Sequence, residues 1–163
     1  MKTLSFICAI LGMSLFGRYT VSEKDWQKTT KIVFRHADAT IAPHLFRCYS
    51  VTVTAEEVVV EVRDYDKTLL TKRYPYTAKD YQTVVQHLKM MEVGKVKERG
   101  SMAGGDSESL SLYKGEEEYF SAYASHGEGT LRLRNGGDLE TIIHKIVPKI
   151  DEMVEQTRSI NNE

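Results

Sequence analysis

The sequence predicts an α+β fold: one or more antiparallel β-sheets with two main helices packed on one face. Three observations carry this. Stretches of alternating apolar and polar residues recur from Phe46 to Val53, from Val58 to Arg63 and from Thr68 to Tyr74, the period of strands with one buried face. Their connections, Ala55-Glu56-Glu57 and Asp64 to Lys67, are short enough for hairpins. Helical stripes then follow each run of strands, first around Tyr81 and later from Leu139. The order strands, helix, strands, helix also admits a diverged ββββα duplication.

Taken in order, Asp25-Trp26 opens the ordered part and Lys31–Arg35 is a short strand. His36 to Pro43 reads as a loop ended by its proline. In the next strand Arg47, Tyr49, Val51 and Val53 share one face, and Phe46, Cys48, Ser50 and Thr52 the other. Val58, Val60 and Val62 lie in phase on the strand that follows, and Pro75 ends the one after it. Thr77 is an N-cap with Asp80 three residues on, close to a capping box. Tyr81, Val84, Val85 and Leu88 then mark one apolar helix face. Val93 to Val96 is a short strand and Gly100 to Ser107 a glycine-rich loop. Strands from Leu110 and from Tyr119 turn at Lys114-Gly115, and Leu131 to Arg134 is the last strand. After the turn Asn135-Gly136-Gly137, Asp138 caps a helix whose stripe runs from Leu139 to Val154. Pro148 interrupts that stripe and predicts a break near Val147.

Lys2 followed by the apolar run Leu4–Phe16 and small residues has the form of a secretory signal peptide. Residues 1–17 are therefore expected to be removed, leaving one α+β domain at 18–163. The run is too short to span a bilayer, and a mean hydropathy of −0.37 excludes a polytopic membrane protein. Without Met1–Gly17 the chain has 21 basic against 23 acidic side chains, a net charge of −2. Nucleic acid, which would need a basic stripe, is excluded as a partner. The expected location is the periplasm or outside the cell. Cys48 is then the one cysteine left, and it reads as a small buried hydrophobe rather than a reactive thiol.

Few residues suggest chemistry. His36, Asp38 and His44 are the candidate metal ligands, but their spacing matches no strong signature, so neither metal nor cofactor is expected. The glycine loop lacks a Gly-Lys-Ser/Thr ending and leads into a strand, not the helix that a phosphate loop needs. Ser101 and Ser107 lie outside any Gly-x-Ser-x-Gly elbow. No nucleophile–base–orienter set is recognisable, and no catalytic activity is expected. Tyr49, Tyr65 and Tyr123 are the candidate binding residues, because tyrosine is enriched at protein interfaces. The competing expectation for each is core packing with the hydroxyl at the rim.

The chain resembles a family of small bacterial exported proteins. The similarity rests on Pro43-x-x-Phe46-Arg47-x-Tyr49-x-Val51-x-Val53, Tyr65-x-x-x-Leu69, Gly104-Gly105-x-Ser107-Glu108-Ser109-Leu110, Phe120-Ser121-x-Tyr123, Gly137-Asp138 and Val147-Pro148. The resemblance implies export and one domain, and brings no activity with it. Relatives of this type carry a cysteine before the Gly-Gly pair and another in the later glycine loop; the counterparts here are Met102 and His126. The expected function is that of a non-catalytic binding protein, inhibitor-like or immunity-like, whose partner is another envelope or extracellular protein. The alternatives are a structural accessory of an envelope assembly and a small metal-dependent hydrolase using His36, Asp38 and His44.

Overall fold

Alternating side chains build the main sheet, and the computed structural model describes residues 19–38, 45–65, 67–91, 93–95, 106–125, 128–129, 131–132 and 139–159. In chain order the elements are β1 (Tyr19–Thr20), α1 (Glu23–Lys28), β2 (Lys31–Ala37), β3 (Cys48–Val53), β4 (Glu57–Arg63), β5 (Thr68–Pro75) and α2 (Ala78–Met90), then β6 (Gly94–Lys95), β7 (Ser107–Lys114), β8 (Glu117–Ser125), β9 (Glu128–Gly129), β10 (Leu131–Arg132), α3 (Leu139–Ile146) and α4 (Ile150–Ser159). Seven strands form one antiparallel sheet in the order β5-β4-β3-β2-β7-β8-β9. A second sheet joins β1, β6 and β10. The fold is α+β, as the sequence predicts.

Register fixes which residues are buried. Phe34 pairs with Val51 and Leu110, Val51 with Val60, and Leu110 with Ala122. Ile32 pairs with Val53 and Leu112, Val53 with Val58, and Leu112 with Phe120. These rows form one apolar face, and a single core cluster joins them to Tyr81, Val84, Val85 and Leu88 of α2 and to the buried residues of α3 and α4. Trp26 of α1 belongs to the same cluster. The Tyr81 hydroxyl satisfies its own burial by donating to the Thr29 carbonyl at 3.0 Å.

Local signals end the elements where they should. Thr77 caps α2, accepting from the Asp80 backbone N–H at 3.2 Å and donating to its carboxylate at 2.6 Å. The β7–β8 hairpin turns at Gly115, whose φ of +61° suits glycine; its N–H donates to the Thr30 hydroxyl at 2.8 Å. Beside it Lys114 reaches Asp25 at 2.7 Å, and this hydrogen bond, with one from Ser22, holds the Asp25 carboxyl below its ordinary value. The helical stripe breaks as Pro148 requires: α3 ends at Ile146 and α4 begins at Ile150. None of the described helices is long and apolar enough to cross a membrane.

The structure also departs from the sequence reading. His36 lies on β2, not in a loop, because the β2 ladder runs on to Ala37 against both β3 and β7. Leu131–Arg132 pairs with β6 in the second sheet, and residues 133–134 of the expected last strand lie outside the described residues. The short elements β1 and α1 have too few residues to show a period. Residues 100–105 of the glycine loop, the turn at 135–137, the Asp138 cap, His126 and residues 1–17 lie outside the described residues, while Ser107, expected in that loop, opens β7.

Candidate functional site

Two depressions meet near the ends of β2, β3 and β7, one on each side of the sheet. The first, of about 310 Å³, lies on the face away from the core cluster. Its floor is made of small side chains in cross-strand register: Ala37 pairs with Cys48 and Ser107, and Ser50 and Ser109 flank Arg35. Arg63, opposite Cys48, and Tyr123, opposite Ser109, rise at the sides. Arg35 touches the Ser111 hydroxyl at 3.4 Å, and Ser111 touches Ser121 at the same distance. Neither Arg35 nor Arg63 forms an ion pair among the described residues. Two guanidinium groups over a floor of hydroxyls can grip a carboxylate or another oxyanion. The Cys48 thiol in this floor is pushed up by burial, against the pull of Arg63. It is protonated at neutral pH and is no activated nucleophile.

The second depression, of about 190 Å³, opens beside α3 and α4. Asp38 Oδ2 accepts from the Arg47 backbone N–H at 2.9 Å and from Arg158 at 2.7 Å. The Asp38 N–H in turn donates to the Arg47 carbonyl at 3.0 Å, so the β2–β3 ladder continues past the strand ends. Arg47 is 1 % exposed. Its guanidinium donates to the Thr157 hydroxyl at 2.9 Å, the Thr157 carbonyl at 2.7 Å and the Phe46 carbonyl at 2.7 Å. A buried charge needs such a full set of partners. His36 stacks on Tyr49 with ring centroids 5.1 Å apart, and its Nε2 lies 3.9 Å from Asp38 Oδ1. Asp106, just before β7, brings a carboxylate oxygen into the same group. Nearby, His144 meets Asp151 at 3.1 Å.

Two of the three expected metal candidates, His36 and Asp38, are thus brought together, while His44 lies outside the described residues. The expected tyrosines form no single exposed patch: Tyr49 and Tyr123 both line the first depression and Tyr65 lines neither. Tyr49 is 9 % exposed and packs in the core, which corrects its expected place on an open binding surface: its strand phase with Val51 and Val53 turns it toward the helices. Burial, with Glu108 next, pushes its hydroxyl well above the ordinary tyrosine value. Tyr65, 50 % exposed, stacks on Phe46 at 4.0 Å, and Tyr123, 45 % exposed, stands beside the first depression. Sequence reasoning missed Arg35 and Arg63. The available signal was phase: Arg35 alternates out of step with Ile32 and Phe34, as Arg63 does with Val60 and Val62. Comparisons with family models, with curated proteins and with solved structures find no match to this chain.

Proposed function

We propose that the chain is an exported, non-catalytic binding protein. Its partner is another envelope or extracellular protein, and the face away from the helices receives an acidic segment of that partner. The observation that carries this reading is the pair Arg35 and Arg63, which border a hydroxyl-floored depression with no ion-pair partner among the described residues. A charged group left unneutralised on a shaped surface favours the opposite charge on whatever docks there. Tyr123 adds an amphipathic side chain of the kind enriched at interfaces. The expected leader, residues 1–17, supports export.

The test is a titration of ¹⁵N-labelled protein with a glutamate-rich decapeptide and with its glutamine counterpart. Binding of the acidic peptide alone, with shifts centred on Ser50, Ser109 and Tyr123 and weakening as salt is raised, supports the reading. Loss of that binding in an Arg35→Gln/Arg63→Gln variant completes it. Equal binding of both peptides, or unchanged binding by the double variant, would overturn it. Export is checked separately by fractionation and N-terminal sequencing of the recovered chain.

A further inference from the structure

We propose that His36, Asp38 and Asp106 form a binding site for a divalent first-row transition metal, with Zn²⁺ the natural probe. The inference does not depend on the peptide-binding role. Strand register places the three groups together. Ala37 and Ser107 are the last paired residues of the β2–β7 ladder, so Asp38 and Asp106 face each other one step beyond it. His36, two residues before Asp38, lies on the same side of the chain. Among the described residues these three are the group whose ligand atoms all lie within 4.8 Å of one another.

The surroundings prepare this set for a cation. Like charges directly opposite each other across a ladder are unfavourable, and a metal between Asp38 and Asp106 relieves that repulsion. Asp38 is already oriented: Oδ2 is held by Arg47 and Arg158, which leaves Oδ1 turned to His36. Ligating carboxylates are fixed by outer hydrogen bonds in this way. His36 is steadied by its stack on Tyr49, and its ring makes no hydrogen bond within the described residues. The 3.9 Å between His36 Nε2 and Asp38 Oδ1 is too long for a hydrogen bond. Around tetrahedral zinc the same two atoms sit about 3.3 Å apart, so a small closing movement suffices. One imidazole and two carboxylates form a mixed N/O set suited to zinc or manganese, with the remaining position left to water. Arg158 lowers the local negative charge beside Asp38. The bound ion would clip the end of β2 to the start of β7.

The experiment is isothermal titration of the metal-free full chain with ZnCl₂, alongside thermal melting with and without the ion. One Zn²⁺ per chain and a raised Tm are expected. Asp106→Asn, which keeps the shape of the side chain, should weaken binding by at least about tenfold in a chain that still melts cooperatively without metal. His36→Ala should do the same, while His144→Ala, at the other histidine–carboxylate pair, should bind as the parent does. No zinc uptake by the parent chain, or uptake unchanged in Asp106→Asn and His36→Ala, overturns the site.

Discussion

The two faces of the main sheet are drawn from the same strands and do opposite work. On β2, Ile32 and Phe34 are fully buried beneath the helices, while Arg35, next after Phe34, stands exposed over serines. On β3, Val51 and Val53 join the core, and Cys48 and Ser50 floor a depression on the other side. The helix-covered face is continuous Val, Leu, Ile and Phe, whose burial drives folding. The opposite face carries small polar side chains and two arginines around the first depression, with Val33 buried on the same side. Packing residues and exposed ones therefore lie one position apart along a strand.

Substitutions can break or sharpen that contrast. Phe34→Ala should have the largest effect, a loss of about 4 kcal/mol in urea unfolding, because it opens a cavity at the centre of the covered face. Arg47→Leu should come next at about 3 kcal/mol, since Thr157 and Phe46 would lose their donors inside the protein; a loss below about 1 kcal/mol would show that this charge is dispensable. Raising pH probes the covered face through two of its tyrosines. Burial raises the hydroxyl pKa values of Tyr49 and Tyr81 in the folded chain. Their contribution is full below about pH 10, the unfolded value, and falls as pH climbs from there toward the folded values. Unfolding midpoints should drop over that range, and the drop should shrink in Tyr49→Phe. Thr77→Ala should cost about 1 kcal/mol through the lost α2 cap. The smallest change is expected on the opposite face: Arg35→Ser should move stability by less than about 0.5 kcal/mol. If it instead unfolds the chain, the division between the faces is wrong.

Much of the fold was legible because short-range periodicity sufficed. The alternation of Tyr49, Val51 and Val53, the in-phase valines at 58, 60 and 62, the Thr77 cap and the Pro148 break all carry their own local reason. What periodicity could not reveal was pairing at a distance. The β2–β7 ladder joins residues seventy or more positions apart; with the β3 pairing it places His36 on a strand, and it brings Asp106 to Asp38. The phase of Arg47 with Tyr49 holds in the structure, but its burial depends on the hydroxyl and carbonyl of Thr157 on α4, which no window around residue 47 contains. Only the register shows that Arg35 and Arg63 share one face around a floor of serines.

The Arg47–Thr157 clasp also constrains how the chain can be made. Its two ends are 110 residues apart, so during vectorial synthesis the guanidinium of β3 emerges long before the groups that neutralise its burial. Until residue 157 leaves the ribosome the meander has no stable way to hide that cation. The clasp thus ties completion of the interior to nearly the last turn of α4, so the packed state is reached only when the chain is almost fully synthesised.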